Sequence, residues 1–583
     1  MSEKKNVSRR DFLGFAGGVL SFAGASALGA NAAFEQNAIR VDTQKITDDE
    51  ITTDVLVVGS GMAGLFAAVK AHDAGSKVMM VSKGGLGTSG QTPFAKGVFS
   101  YDEKKEKLSI DEFVEKVSRS SLGTSNKAYT RQLAEHSKAR VAELKEWGFF
   151  DGPLCQASFA KPMQEREIAL LERVMITNLL QAEDGSVAGA MGFAVDEEKV
   201  ITIRAKSVIL CTGAGGFKPN GFPICDLTHD GSIMAYNIGA KITGKEWNDG
   251  HLGSAKNSAD SFGNWHDMFE QTPSTTSVQI NHHLGVDLNY IAYASGNSVK
   301  MGPPGMPSST TIEGGPFTPE EFKNNATPPK GSDERRGPPE NARGGPKEGE
   351  RPPGMNADPV GGSSAGLAIH KSEGLAPIND KCESTIKGLY AAGDALGSHM
   401  SGGIYTQIGS SLAGSAVQGA IAAEASSSYA KSIKMPEVSK EQIAKIKEEI
   451  LAPLKREAGY SPRWITQTLQ GIVIPNFVLY IKKERMLQAS LTYVEELEES
   501  HIPHIKASDM HELRLAHETI NMVISAQMKL RASLMRKESR CSHFRVDYPE
   551  LDNENWQAWI NIYKDKNGAM AFKKQPFGTW SKA

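Results

Sequence analysis

Three glycines near the start of the chain are spaced as a phosphate-binding turn requires. Gly59, Gly61 and Gly64 form the pattern G-x-G-x-x-G, and Met62 and Ala63 lie where a helix would begin. Glycine allows a tight turn and a close backbone approach, and a helix N-terminus offers N–H groups and a positive dipole end to a pyrophosphate. The pattern therefore predicts a dinucleotide site.

The flanking segments are those that such a site needs. Residues 54–58 are a short, β-branched, apolar run, which is typical of a strand buried on both faces. Apolar residues at helical spacing follow up to Gly75, and a second apolar run covers 77–81. This order predicts an α/β fold with a Rossmann-like domain. The second strand ends in Ser82 and Lys83 rather than the acid that usually holds an adenosine ribose.

Five more segments could bring backbone or polar groups to the same ligand. The loop 84–97 is rich in glycine and hydroxyl residues, and an apolar run ends in T-G at 212–213. Asp230 begins a predicted helix, and Asp394 ends a short buried strand, where a carboxylate can accept hydrogen bonds from sugar hydroxyls. A helix of small residues begins near 411.

Together these motifs resemble the flavoprotein subunit family of fumarate reductase and succinate dehydrogenase, which includes L-aspartate oxidase and the adenylylsulfate reductase α subunit. The match is specific at G-L-Y-A-A-G-D (388–394) and at R-K-E-S-R-C-S-H-F-R-V-D-Y-P (536–549) with N-E-N-W after it. It extends across nearly the whole chain after the leader, except 252–356. The resemblance implies FAD as cofactor, and family members often carry Ser-Lys where Ser82 and Lys83 stand.

The resemblance also implies which residues contact FAD. Membrane-bound members attach FAD through a histidine in the glycine-rich loop; Gln91 takes that position, so we expect non-covalent FAD. The helix that opens with Ser411 and Leu412 is expected to point at the flavin ring. The predicted FAD-binding residues are Gly59, Gly61, Met62, Ala63, Gly64, Ser82, Lys83, Ser89, Gly90, Gln91, Thr92, Gly97, Thr212, Gly213, Asp230, Asp394, Ser411 and Leu412.

The substrate side departs from the family. Thr406 stands where the family has its dicarboxylate-binding arginine, and Asp358 stands where dicarboxylate reductases have histidine. Losing an Arg–carboxylate contact costs roughly 1.5–3 kcal/mol per bond, which disfavours fumarate. His251 aligns with a substrate-contacting histidine, and Tyr405 flanks the altered position, so both are catalytic candidates. The alternative for His251 is a surface or merely packed histidine with no catalytic role.

The first residues resemble a twin-arginine signal. Arg9 and Arg10 precede Phe-Leu and a Gly/Ala-rich run that ends in A-N-A at 30–32. We expect residues 1–32 to direct export of the folded protein to the periplasm; the alternative is a chance arginine pair before an ordinary signal or anchor helix. No later run is long and apolar enough to span a membrane, so no transmembrane segment is expected in the mature chain.

The charge and the cysteine spacing of the chain indicate which partners it can have. The net charge of −3 and the lack of a basic stripe argue against nucleic acid. The five cysteines show no C-x-x-C spacing, so no iron–sulfur cluster and no metal site are expected. Electrons must then be exchanged with a redox partner protein, a multihaem cytochrome or an iron–sulfur subunit.

These observations define the expected organisation and activity. After a linker (33–52), an FAD-binding domain is formed by 53–251 and 357–430; a divergent capping insertion (252–356) is Pro/Gly-rich from about 302, and a helical C-terminal domain covers 431–583. We expect a periplasmic FAD-dependent oxidoreductase that reduces an activated C=C bond of a small organic acceptor other than fumarate, by hydride transfer from flavin N5, in anaerobic respiration. The alternatives are an adenylylsulfate-reductase-like flavoprotein and an FAD electron-transfer subunit without a substrate site.

Overall fold

The structure is a computed structural model. It describes residues 41–94, 97–152, 154–217, 227–248, 253–254, 359–360, 373–403, 409–474, 478–479 and 481–583. The predicted leader and most of the predicted capping insertion lie outside these residues, and the domain boundaries stay predictions.

A seven-stranded sheet forms the centre of the fold. Its order is β3-β2-β1-β6-β5-β4, and β11 also pairs with β6. These strands are β1 (Thr47–Val58), β2 (Val78–Val81), β3 (Ala169–Leu171), β4 (Val174–Gln181), β5 (Val187–Ala194), β6 (Lys199–Leu210) and β11 (Leu389–Ala391). Strands β3, β2, β1, β6 and β11 pair in parallel, whereas β4, β5 and β6 pair antiparallel. The predicted α/β fold with a Rossmann-like domain is confirmed.

Strand β6 joins the two halves of the chain. Its first half pairs with β5, with Phe193 opposite Val200, and its second half pairs with β11, with Leu389 opposite Val208. The short strand from G-L-Y-A-A-G-D therefore lies in the same sheet as the first phosphate-binding turn. This pairing explains how turns far apart in sequence reach one edge of the sheet.

Two helices of small residues pack directly behind that edge. They are α1 (Met62–Asp73) and α7 (Ser410–Ser432). A Cβ atom on Gly419 of α7 would lie 2.3 Å from the carbonyl oxygen of Ala63, so glycine allows the two backbones to approach closely. Small residues in α7 thus serve close helix packing.

The other described helices cover the sheet and build the C-terminal region. They are α2 (Glu103–Glu106), α3 (Ile110–Ser120), α4 (Lys127–Glu146), α5 (Gln156–Glu165), α6 (Asp230–Asn237), α8 (Lys440–Lys455), α9 (Pro462–Val473), α10 (Glu484–Glu496), α11 (Met510–Met535) and α12 (Asn553–Trp556). Among the described residues, no helix is long and apolar enough to cross a membrane.

The predicted helical C-terminal region is confirmed, and two strands follow its last helix after residue 556. Strands β14 (Ala558–Lys564) and β15 (Met570–Pro576) form an antiparallel hairpin. Residues 558–564 are rich in aromatic and β-branched side chains, and the first five are buried, which favours a strand over a helix.

This hairpin belongs to a four-stranded sheet of order β10-β7-β14-β15, in which β7 is Ile242–Thr243 and β10 is Gly374–Leu375. The remaining strands form two short pairs: β8 (Gly253–Ser254) with β9 (Pro359–Val360), and β12 (Ile481–Lys482) with β13 (Phe544–Arg545). The end of the chain is therefore tied to the segment that precedes the predicted insertion.

Candidate cofactor site

A cleft lies where the parallel strands end. It is lined by residues 58–63, 82–84, 89–92, 174–176, 211–213, 392–394 and four single positions. Ligands of open α/β sheets bind in this place, beyond the carboxyl ends of the strands. The predicted FAD-binding residues that line the cleft are Gly59, Gly61, Met62, Ala63, Ser82, Lys83, Ser89, Gly90, Gln91, Thr92, Thr212, Gly213, Asp230 and Asp394.

The phosphate-binding turn is shaped by contacts that exclude any side chain. Gly59 has φ = +110°, and a Cβ atom on it would lie 2.2 Å from the carbonyl oxygen of Cys211. A Cβ atom on Gly64 would lie 1.9 Å from the carbonyl oxygen of Gly59. Gly64 does not line the cleft, and it serves instead to pack α1 onto the turn.

The loop after β2 completes the start of α1. Gly61 is the N-cap residue and has no side chain to accept a hydrogen bond. Instead, the backbone N–H of Met62 donates to Oγ1 of Thr92, at 3.2 Å. The first-turn amides of a helix have no intrahelical partner, and Ala63, which follows Met62 in this turn, lines the cleft. This is the arrangement that a pyrophosphate requires.

The position of the missing acid is occupied by a pair of hydroxyls. Oγ of Ser60 and Oγ of Ser82 lie 2.5 Å apart, and both serines are buried. The end of β2 is thereby tied to the phosphate-binding turn through neutral groups.

Lys83 and Asp230 form a charged pair in the cleft wall. Nζ of Lys83 lies 2.7 Å from Oδ2 of Asp230 and 2.7 Å from Oε1 of Glu518. Burial alone would lower the pKa of Lys83, but the two carboxylates outweigh it and raise that pKa above its ordinary value. Lys83 is therefore held as a cation at neutral pH.

Residues of α11 support this wall, and no pattern in the sequence indicated that they would. Besides Glu518, Asn521 donates through Nδ2 to Oδ1 of Asp230, at 2.8 Å. The two residues of that bond lie 291 positions apart in the chain, so no local pattern indicates the contact. The 174–176 segment of β4 and Ser415 of α7 also line the cleft and were not predicted.

Three other predicted FAD-binding residues lie outside the cleft lining: Gly97, Ser411 and Leu412. A Cβ atom on Gly409 would lie 2.8 Å from the carbonyl oxygen of Gly97, so these glycines bring the loop against the start of α7. Ser415 lies one turn beyond Ser411 on the same face of α7, and it reaches the cleft in place of Ser411.

The predicted substrate-site residues stay predictions. His251, Tyr405, Thr406 and Asp358 lie outside the described residues. The described segment that precedes His251 ends with residues 245–248, which are all buried.

Segment 245–248 takes part in a buried charge cluster, which consists of Lys245, Glu246, Glu373, Lys482, Lys529, Arg536, Glu538, Arg540 and Arg545. Nη2 of Arg536 lies 2.9 Å from Oε1 of Glu246, and Nζ of Lys529 lies 2.6 Å from Oε2 of Glu373. Burial lowers the pKa of Lys245 to about 8, although Glu373 opposes this shift.

His229 connects this cluster to the cleft wall. It precedes Asp230, adopts φ = +64°, and its Nδ1 lies 2.8 Å from Oγ of Ser525. Burial, together with Lys245 and Lys529, lowers the pKa of His229 well below its ordinary value, so the ring is neutral. A Cβ atom on Gly215 would lie 1.8 Å from its Nδ1, which explains the glycine in T-G-A-G-G.

The lining residues fit FAD. The glycine turn leaves the backbone open to a pyrophosphate, and carboxylates of Asp230 and Asp394 stand in the wall as acceptors for hydroxyl groups. The hydroxyl of Thr212 is buried and has no hydrogen-bond partner within the part of the chain that the structure describes. Among the described residues, no group of three or more His, Cys, Asp or Glu side chains could hold a metal ion.

Comparison with known proteins agrees with this geometry. The family model "FAD binding domain" matches residues 54–154, and "Fumarate reductase flavoprotein C-term" matches 467–580. One relative comes from the fumarate reductase (CoM/CoB) of Methanothermobacter marburgensis. The two sequences are 24% identical, and the match covers 87% of this chain and 96% of the relative's chain.

Two solved structures share the fold. Adenylylsulfate reductase from Archaeoglobus fulgidus has a TM-score of 0.67 and 20% identity, with 93% of this chain and 99% of that chain covered. Quinol fumarate reductase of E. coli also has a TM-score of 0.67, with 18% identity and coverage of 92% and 98%.

The fold and the cleft define an FAD-dependent oxidoreductase, and FAD is its cofactor. More particularly, its family-model matches and its relatives are those of fumarate reductase and succinate dehydrogenase flavoprotein subunits, the likeness that its motifs predicted.

Proposed function

We propose that this oxidoreductase reduces an activated C=C bond of a small organic acceptor other than fumarate. The observation that carries the proposal is the cleft with its glycine turn, joined in one chain to a fumarate-reductase-type C-terminal region. The fumarate reductase (CoM/CoB) relative supports the reaction class. Thr406 and Asp358, which stand where the family has its dicarboxylate-binding arginine and where dicarboxylate reductases have a histidine, argue against fumarate itself.

Bound FAD supplies hydride chemistry to such a reaction. The residues of the chain would hold and orient it: the turn at 59–61 and the start of α1 would receive the pyrophosphate, and Asp230 and Asp394 would accept hydrogen bonds from hydroxyl groups. Because Gln91 replaces the histidine of covalent members, we propose that FAD is held without a covalent bond. His251 and Tyr405 are proposed to hold the substrate and to move the matching proton.

We further propose that the protein works in the periplasm in anaerobic respiration. The Arg9-Arg10 motif supports export of a protein that has already folded around its cofactor. Reducing equivalents then come from a redox partner, a multihaem cytochrome or an iron–sulfur protein, since the sequence has no C-x-x-C spacing for a cluster of its own.

The test is flavin reoxidation by a panel of acceptors. The purified holoprotein is reduced with dithionite under anaerobic conditions, separated from excess reductant, and mixed with enoates that differ in charge and ring substitution. Flavin absorbance is followed over time. We expect rapid reoxidation by one class of enoate and slow reoxidation by fumarate.

Other outcomes would contradict the proposal. Reoxidation by fumarate as fast as by any other acceptor would show that the altered positions do not set specificity. A sulfite-dependent spectral change with no enoate activity would favour adenylylsulfate-reductase-like chemistry. Inertness to all small acceptors, with rapid exchange to a cytochrome, would indicate an electron-transfer role without a substrate site.

A further inference from the structure

Helix α11 reaches the cofactor cleft without lining it. Glu518 and Asn521 lie three positions apart and therefore on one face of the helix. Glu518 contacts Lys83, and Asn521 contacts Asp230. Both contacted residues belong to the cleft wall. The helix belongs to the region that matches the fumarate reductase flavoprotein C-terminus, not to the FAD-binding domain match.

Lys83 has no donor left for another ligand. An ammonium group carries three N–H donors. Nζ of Lys83 has three acceptors: Oγ1 of Thr228 at 2.8 Å, Oδ2 of Asp230 at 2.7 Å and Oε1 of Glu518 at 2.7 Å. Its side chain is 16% exposed. Lys83 is therefore a fixed support within the wall rather than a mobile cation that can close on a phosphate.

The acceptors of Lys83 are themselves fixed. Glu518 is 7% exposed and also accepts from Nη1 of Arg514, at 2.9 Å. Asp230 accepts from Asn521 and from the hydroxyl of Thr228, which lies 3.0 Å from each carboxylate oxygen. Two cations and two carboxylates thus balance in a largely buried group, where removal of one charge leaves another unpaired.

We propose that Glu518 is a positioning residue of the FAD site. Glu518 holds Lys83 against Asp230, and this contact fixes the orientation of the Asp230 carboxylate in the cleft. FAD affinity consequently depends on the docking of α11 onto the FAD-binding domain. The proposal rests on the cofactor alone and not on the identity of the substrate.

The experiment measures FAD binding to the full-length apoprotein by the quenching of flavin fluorescence. Glu518→Gln keeps the size of the side chain and removes its charge. We expect FAD to bind about tenfold more weakly, the loss typical of one charge-assisted hydrogen bond. The matched control is Glu495→Gln in α10, which alters the 2.6 Å pair of Glu495 with Arg531. Arg531 lies about 20 Å further along α11 than Glu518, so this variant should leave the FAD dissociation constant unchanged.

A double-mutant cycle separates positioning from general destabilisation. In a Lys83→Met background, Glu518→Gln should weaken FAD binding by less than about twofold, because its effect passes through Lys83. An equal loss in both backgrounds would overturn the proposal, as would unchanged or tighter FAD binding by the single variant. Should Glu518→Gln fail to fold, Glu518→Asp, which keeps the charge but shortens the reach, must show an intermediate loss that also disappears with Lys83→Met.

Discussion

The cofactor cleft and the buried charge cluster are built in opposite ways. The cleft is formed mainly by backbone and small residues at the ends of strands, with few charged side chains. The cluster consists of nine charged side chains, each at most 1% exposed, that join segments from 245 to 545. The first region leaves space for a ligand, and the second fills its space with ion pairs. The backbone of the cleft therefore serves cofactor binding, whereas the ion pairs of the cluster hold distant segments of the chain together.

The difference matters because the two regions fail differently when they are altered. Buried charges are costly to desolvate, and their mutual attraction repays this cost only when every partner is present. The glycine turn depends instead on close backbone contacts, which leave no room for a Cβ atom. We therefore expect changes in the cluster to unfold the protein and changes in the turn to release the cofactor.

Arg536→Met should give the largest effect. Arg536 is fully buried, and it pairs with Glu246 at 2.9 Å and Glu538 at 2.8 Å, both equally buried. Without it, the Glu246 carboxylate has no ion-pair partner among the described residues, and Glu538 keeps its ion pair with Arg540. We expect a loss of about 3–5 kcal/mol in the free energy of unfolding, measured by urea denaturation.

The control for this prediction is a surface pair of the same chemistry. Arg173 lies 2.7 Å from Asp196, and both side chains are more than half exposed. Arg173→Met should change the urea midpoint only slightly, because exposed pairs contribute little. If both variants lost the same stability, the distinction between buried and exposed ion pairs in this protein would be wrong.

Gly59→Ala should release FAD with less damage to the fold. The positive φ adds roughly 1–2 kcal/mol of strain for a residue with a Cβ atom, and the contact with Cys211 adds about 1–3 kcal/mol of overpacking. We expect the FAD-to-protein ratio of the purified variant to fall towards zero. Gly568→Ala is the matched control, since Gly568 has φ = +80° but nothing within 4 Å of its Cβ position. FAD loss from both variants would show that the contact is unimportant.

These two regions also mark what sequence can predict. The glycine turn, the glycine-rich loop and Asp394 were predicted because each lies in a short motif whose geometry is local. The contact of Glu518 with Lys83 was not predicted, because only the docking of α11 brings these positions together. Arg536 lies in the recognised C-terminal motif, but its partner Glu246 lies in a distant segment that no local pattern connects to it. The β14–β15 hairpin was missed because the helical pattern before it was extended to the chain end.

The pH dependence of stability gives a smaller and graded effect. Burial places the pKa of Lys245 at about 8, below its ordinary 10.5, so protonation of the folded state is disfavoured. Between these two values the unfolded chain binds a proton that the folded chain lacks, and stability rises as pH rises. Below about pH 8 both states are protonated and the cost of the buried charge is present in full.

Lys245→Met isolates this contribution. The groups that face Lys245 are Glu373, Lys529, Ser525 and the neutral His229. The gain in stability of the variant over the wild-type protein should be largest below pH 8 and should decline towards pH 10. Urea denaturation at fixed ionic strength measures this difference. A difference that stays constant with pH would contradict the lowered pKa.

Ser82→Ala should have the smallest effect and tests whether the neutral pair at the end of β2 replaces the usual acid. The variant removes the 2.5 Å contact with Ser60, whose hydroxyl can still reach the carbonyl oxygen of Gly85 at 3.4 Å. One neutral hydrogen bond contributes about 1 kcal/mol, so FAD should bind about fivefold more weakly, measured by fluorescence quenching. Adding Ser60→Ala should restore part of the loss, because it removes a buried hydroxyl that the single variant leaves with only the longer, 3.4 Å contact. A hundredfold loss in the single variant would mean instead that Ser82 binds the cofactor directly, as an acid would.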